Sequence, residues 1–320
     1  MSRSPKLIGM ANDSLREAFG RALVKYAEDF PNMVVLDADV AGGTGAHHFR
    51  TQYSDRFIQC GIAEQNMVSM AGGLASIGLL PVVTTFSVFL LRAYEQARLS
   101  ISYPKLNVKL VGSHPGLDVG PDGSSAQCLE DLAVFRAMPN MSVISPCDPT
   151  EIEQATRFIL EFDGPVYMRT GRSSIERFLD DSYSFEFGKG KILKDGNDLT
   201  LFGCGVTTGR NLKVAEKLSS LGIRAMVVNI STIKPIDKEV IVYSAQKTKK
   251  IISVEDHNIY GGLGSAIAEV LVQECPTPMK IIGVHDQPGR SGEPEELSEY
   301  YGISVEKIYQ KAISFLEEEK

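Results

Sequence analysis

Two consecutive α/β domains are what this sequence predicts, and three observations carry that prediction. Short apolar runs alternate with helical patterns through the first half of the chain. A polar, irregular stretch then breaks the alternation, and beyond it the alternation starts again. Strands that alternate with helices imply βαβ units and a mostly parallel sheet, and a restart implies a second sheet with its own helical layers. The expected architecture is therefore two three-layer α/β domains, the second smaller than the first.

Taken in order, "NMVVLD", "RFIQC", "PVVTTF", "NVKLVG", "MSVISP" and "GPVYMRT" read as strands, because near-continuous apolar runs suit strands buried on both faces. The segments 14–28, 62–78, 88–103, 126–138 and 149–163 read as the helices between and after them. The Gly, Ser and charge content of "GRSSIERFLDDSYSFEFGKGKILKDGND" marks a linker, placed at 176–196 between domains at 1–175 and 197–320. After it come the strands "DLTLFG", "AMVVNI", "KIISVED" and "MKIIGV", with helices near 208–221, 237–246, 262–274 and 304–318. No internal repeat and no low-complexity segment occurs.

Composition excludes several functional classes. At 320 residues the chain exceeds the usual reach of one hydrophobic core, and 43% hydrophobic with 23% charged residues describes an ordinary globular protein. A net charge of −7 argues against nucleic acid and anionic membranes as partners, since both need a basic face. The apolar run near "PVVTTFSVFLL" is too short for a membrane span, and "MSRSPKLIGMANDS" has no signal-peptide core, so the expected location is cytoplasmic. Cys60, Cys128, Cys147, Cys204 and Cys275 are odd in number and lack CxxC spacing, as expected of reduced, mostly buried thiols.

Several stretches could carry chemistry. Gly203, Gly205 and Gly209, and again Gly262 and Gly264, flank helix starts, but neither set fits GxGxxG, and tight strand-to-helix turns explain them. "VEDHN" at 254–258 offers carboxylates and His257 to a metal, yet adjacent residues at a strand end point apart, which favours a solvated or interface loop. "GIAEQNMVSMAGGLASIG" is an apolar helix with one carboxylate, Glu64, in its first turn; a carboxylate in a helix built for burial is paired or working. Phe86, Phe89 and Arg92, three apart where a strand turns into a helix, could surround one ligand. "GSHPGLDVGPDGSSAQ" follows a strand and puts His114 at its tip, with Asp118 and Asp122 in a glycine-rich loop, where parallel sheets bind ligands. Arg169 stands just past another strand and is read as available to a phosphate.

In order and spacing, "SLREAFG", "GIAEQNM", "TTFSVFLLRAYEQAR", "GSHPGLDVGPDGSSAQCLEDLAVFRAMPNMSVISPCDP" and "GPVYMRTGR" resemble the pyrimidine-binding domain of transketolases. "KPID" and "VEDHNIYGGLGSAIAE" resemble that family's C-terminal domain, so the resemblance covers nearly the whole chain. It extends to the C-terminal subunit of split transketolases, in which two polypeptides make one enzyme.

The resemblance implies a β-type subunit that takes part in moving a two-carbon ketol unit between sugar phosphates. It implies that Glu64 serves the aminopyrimidine of thiamine diphosphate, that Phe86 and Phe89 pack on that ring with Arg92 just beyond, and that Arg16, His114, Asp122 and Arg169 contact the sugar phosphate, with Glu64 and His114 catalytic. Ala126 stands where the family usually has a substrate-contacting histidine, which leaves the choice of donor open. No Gly-Asp-Gly occurs, and "KDGND" at 194–198 is explained by a turn. The diphosphate and Mg²⁺ are therefore expected on an N-terminal subunit carrying GDG…N, with two copies of this chain paired and flanked by two such partners. The same architecture also serves 1-deoxyxylulose-phosphate synthases and 2-oxoacid dehydrogenase β subunits, and the missing histidine would suit a noncatalytic regulatory or scaffold paralogue.

Overall fold

A computed structural model describes residues 10–318; the first nine residues of the stretch read for a signal peptide lie outside them. Two sheets organise the chain, of seven and five strands. The first runs, edge to edge, Thr232–Lys234, Ser142–Ile144, Val166–Thr170, Lys109–Ser113, Leu80–Phe86, Met33–Asp37, Phe57–Gln59, with every neighbour parallel except the first. Its central strands are buried along their length, which accounts for their unbroken apolar sequence. The second sheet runs Met279–Val284, Ile251–Asn258, Leu199–Gly203, Ala225–Asn229, Lys191–Lys194, antiparallel only at the last strand.

Helices cover both sheets. Leu15–Tyr26 and Pro149–Glu161 begin where Ser14 and Asp148 accept hydrogen bonds from the backbone N–H of Glu17 and Glu151; such caps contribute about 1 kcal/mol each. The expected helix at 88–103 is broken into Ser87–Leu91, Tyr94–Ala97 and a π-helical turn Arg98–Ser102. The antiparallel ribbon Met10–Ser14 with Ser174–Arg177, the strands Lys191–Lys194 and Thr232–Lys234, and the helices Ala41–Thr44, His47–Gln52 and Pro294–Tyr300 escape the sequence pattern. Lys191–Lys194 lies within the stretch read as a linker and pairs instead with Ala225–Asn229.

The two halves meet along a buried polar seam. Asp256 accepts from the N–H groups of Leu117 (2.8 Å) and Asp118 (3.1 Å), and Glu151 accepts from Cys147 N–H (2.7 Å) and Asn229 Nδ2 (2.9 Å). Thr232–Lys234, from the second half, completes the edge of the first sheet. Each donor and acceptor here is withdrawn from water and needs its partner, so the seam fixes the relative placement of the two sheets. Among the described residues no helix is long and apolar enough to cross a membrane.

Candidate active site

The order of the first sheet reverses between Met33–Asp37, whose successor lies on one side, and Leu80–Phe86, whose successor lies on the other. A crevice outside the carboxyl ends of such a pair is where open α/β sheets take ligands. Gly43, from the segment after the first of these strands, and Phe86, at the end of the second, meet there. A Cβ on Gly43 would lie 2.6 Å from the Phe86 ring, so only glycine admits this approach.

Phe86 lies between two rings. His114 stacks on it with centroids 3.7 Å apart, and Phe89 at 5.2 Å. His114 is held at φ +59°, uncommon for a residue with a side chain, and its N–H donates to Thr170 O (3.2 Å). Ser113 Oγ lies 2.7 Å from His114 Nδ1 and donates to Gly43 O at 3.2 Å. With the hydroxyl proton on Gly43 O, Nδ1–H donates to Oγ, and Nε2 is left as the bare acceptor. Burial, then the Arg16 and Arg172 guanidinium groups, push the His114 pKa down to about 3, so the ring is neutral at pH 7.

Glu64 is the first residue of the helix Glu64–Ser76 and only 2% exposed. Its Oε2 is buried and accepts no hydrogen bond among the described residues; Arg92 Nη1 stands 3.5 Å away on a side chain that is mostly exposed. A carboxylate oxygen withdrawn from water without a donor costs stability unless a ligand supplies one. Arg16 Nη1 donates to Gly43 O (3.1 Å), and its Nε is buried and makes no hydrogen bond among the described residues. Asp122 is half-exposed, with Arg172 Nη2 3.6 Å from its carboxylate. Ala126 is buried and its N–H donates to Gly123 O (3.0 Å).

Arg169 is more enclosed than a residue expected to face a phosphate. Its side chain lies within the sheet layer, 5% exposed, with Nε donating to Asp131 Oδ2 (2.7 Å), Nη2 to Asp131 Oδ1, and Nη1 to Asp256 O (3.2 Å). Burial alone would lower its pKa, but Asp131 outweighs burial and holds the guanidinium above its ordinary value. Three of its five N–H groups are held by Asp131 and Asp256 within a buried layer, which argues against a role in gripping a phosphate. The arginine that the sequence reading passed over is Arg172, beyond the strand end, near enough to bias His114. Both arginines of "RTGR" were visible, and the signal that separates them is position: the first lies inside a buried strand, the second past it.

Two weaker candidates also resolve. Asp256 and His257 in "VEDHN" are buried at the seam rather than solvated, and Glu255 accepts from the N–H groups of Leu263 (2.6 Å) and Gly264 (2.9 Å). That carboxylate occupies the helix start where a phosphate would have had to sit; burial raises its pKa to about 7 against the pull of those donors. A cleft of about 840 Å³ between Ser174–Glu176 and the helix Thr207–Ser219 is lined by Asp118 and by no other expected site residue.

Residues 12–177 match the family description "Transketolase, pyrimidine binding domain", and residues 188–308 match "Transketolase, C-terminal domain". The chain belongs to the transketolase family. A transketolase C-terminal section of Methanocaldococcus jannaschii is 42% identical, over 95% of this chain and 97% of that protein. A 6-deoxy-6-sulfo-D-fructose transketolase subunit from a Clostridium species is 37% identical, over 93% of each. Among solved structures, one described as a split-gene transketolase in an inactive β4 tetramer superposes with a TM-score of 0.87 at 41% identity, covering 95% of this chain and 98% of that one. As a transketolase-family chain that matches C-terminal sections and subunits along nearly their full length, it carries Glu64 and the Phe86–His114 stack in its pyrimidine-binding domain.

Proposed function

We propose that this chain is the β-type, C-terminal subunit of a two-subunit transketolase that transfers a two-carbon ketol unit between sugar phosphates. The observation that carries the reading is the buried Oε2 of Glu64, which accepts no hydrogen bond among the described residues, in a pyrimidine-binding domain whose sheet presents Phe86 and His114 at its switch point. With one proton between them, that oxygen fits the ring nitrogen of an aminopyrimidine, and Phe86 and Phe89 would fit its flat face. Thiamine diphosphate, when bound, supplies a thiazolium carbon that acts as the nucleophile.

The protein's own residues do the rest. Glu64 takes and returns the proton of the aminopyrimidine at Oε2, and Arg92 keeps that edge positive. His114 presents a neutral Nε2, fixed in that tautomer by the Ser113–Gly43 chain, to accept a proton from a substrate hydroxyl. Arg16 and Arg172 supply the positive charge for a sugar phosphate, with Asp122 beside Arg172 for a hydroxyl. Ala126 leaves the donor's identity open, and relatives of this length include a subunit named for a sulfonated ketose.

Ligands for Mg²⁺ and the diphosphate lie outside these 320 residues on this reading, on a partner subunit with GDG…N. A related chain of matching length described as an inactive β4 tetramer supports it. The division we place at 1–175, 176–196 and 197–320 makes the first unit the pyrimidine half-site, and two copies pair before two partners dock. Co-expression with a GDG-bearing partner, followed by a panel of ketose and aldose phosphates, tests the proposal. Ketol transfer by the pair is expected; a pair that binds the cofactor and transfers no ketol to any sugar phosphate overturns it and favours a noncatalytic paralogue.

A further inference from the structure

Next to the candidate active site, but outside it, two glycines bring a carboxylate and two imidazoles together. The helix Leu15–Tyr26 carries Glu17 in its first turn, and His47 and His48 open the helix His47–Gln52. Gly20 and Gly45 allow the two to approach: a Cβ on Gly20 would lie 2.1 Å from Gly45 O and 2.9 Å from the His48 ring, and one on Gly45 would lie 2.1 Å from Arg16 O. Any larger side chain at either position would push the histidines away from the carboxylate.

The three side chains converge as a ligand set. One ligand atom from each of Glu17, His47 and His48 lies within 4.8 Å of the others. His48 Nε2 is 2.8 Å from Glu17 Oε2 and His47 Nε2 is 4.0 Å from it, with the two ring centroids 4.1 Å apart. Around a tetrahedral ion with bonds of about 2.0–2.1 Å, neighbouring ligand atoms stand roughly 3.3 Å apart. Shifts of well under an ångström in each side chain would reach that spacing. His47 Nδ1 is buried without a partner among the described residues, so the fold's own hydrogen bonds do not fix that ring against such a shift. About a third of each side chain is exposed, which leaves a path for the ion and a position for water.

We infer that Glu17, His47 and His48 form a binding site for a divalent transition-metal ion of the Zn²⁺ class. Two imidazoles and one carboxylate select borderline ions such as Zn²⁺, Co²⁺ or Ni²⁺, whereas Mg²⁺ and Ca²⁺ prefer oxygen-only sets. The site is distinct from the Mg²⁺ expected with the diphosphate, and it does not depend on the functional reading above. It is coupled to the active-site wall by one short path. Glu17 Oε1 lies 3.8 Å from Arg16 Nε, and Arg16 holds Gly43 O. A bound cation draws the Glu17 charge away from Arg16 and frees that guanidinium toward the crevice.

The test uses the untagged full chain, titrated with Co²⁺ alone in millimolar Mg²⁺ while visible absorption is followed. The chain has five histidines, and His114 and His257 are buried, which makes His285 the control. One Co²⁺ per chain is expected, with the intense bands of four- or five-coordinate geometry, displaced by Zn²⁺ and unaffected by H285A. H48A and E17A should each bind at least about a hundredfold more weakly, since even an outer-shell partner contributes ten- to a hundredfold. H47N, which keeps shape and polarity, guards against misfolding and should lose binding while its circular dichroism matches the parent. Absence of saturable binding, retention of affinity in H48A and H47N, or loss only in H285A would each overturn the site.

Discussion

Asp131 holds Arg169 by two guanidinium nitrogens in the buried layer between the first sheet and the seam. Tyr167 Oη donates to the same carboxylate, so removing the arginine leaves Asp131 with that hydroxyl but without its counter-charge in a dry environment. Arg169→Ala should therefore destabilise the chain by about 3–5 kcal/mol, the range for breaking a buried pair. Arg172→Ala, half-exposed, should change stability by no more than about 0.5–1 kcal/mol and instead raise KM for phosphorylated sugars over unphosphorylated analogues. Urea denaturation of both variants, with KM measured in the assembled enzyme, separates the roles. The opposite pattern would restore Arg169 to the substrate.

Glu64→Gln keeps the size of the side chain and removes its ability to cycle a proton. Exchange of the cofactor's C2 hydrogen in the reconstituted enzyme should fall about 10²–10⁴-fold, typical of a positioned acid–base group, with an unchanged melting temperature. Equal exchange rates in variant and parent would remove Glu64 from catalysis.

Gly43→Ala places a methyl group 2.6 Å from Cε1 and 2.8 Å from Cζ of Phe86. The ring has to move and takes the His114 stack with it. We expect overpacking of about 1–3 kcal/mol and weaker cofactor binding in the assembled enzyme. A variant with parental stability and affinity would show that the crevice is wider than these contacts imply.

The strand cores of both sheets were legible because strands buried on both faces are written as continuous apolar runs, as in "PVVTTF" and "NVKLVG". His114 stood out because turn chemistry does not call for an imidazole at a strand tip, and Phe86, Phe89 and Arg92 because their spacing survives the strand-to-helix turn. The burial of Arg169 was not legible because sequence does not reveal the partner: Asp131 is 38 residues away in the chain. Thr232–Lys234 joins a sheet built from distant segments, which no local pattern encodes. The helix Pro294–Tyr300 lacks an apolar stripe, yet Glu293 and Glu296 form a capping box ahead of it with Pro294 at its first position, a signal the sequence did contain. Glu17, His47 and His48 come together only through the close approach at Gly20 and Gly45.

The depressed pKa of His114 has a stability consequence with a definite sign. The unfolded imidazole titrates near its ordinary 6.5, the folded one at about 3, held down by burial and by Arg16 and Arg172. Its contribution is thus fully present above pH 6.5 and is lost as the pH falls from 6.5 toward 3. Because Glu255, at about 7, titrates in the opposite sense, the comparison is with His114→Asn. Between pH 6.5 and 5 the parent should lose about 2 kcal/mol relative to that variant in urea denaturation. A pH-independent difference would mean that His114 is not kept neutral by the fold.

The central claim is that this chain holds one half of an active site, the pyrimidine pocket without ligands for diphosphate and metal. Calorimetric titration of Mg²⁺-thiamine diphosphate measures it directly, first into this chain alone and then into this chain saturated with a GDG-bearing partner subunit. A charged diphosphate needs its cation and oriented donors, which Glu64, Phe86 and Phe89 do not supply. The account predicts weak or no binding to the chain alone and tight, stoichiometric binding to the pair. Full-strength binding by this chain alone would contradict it.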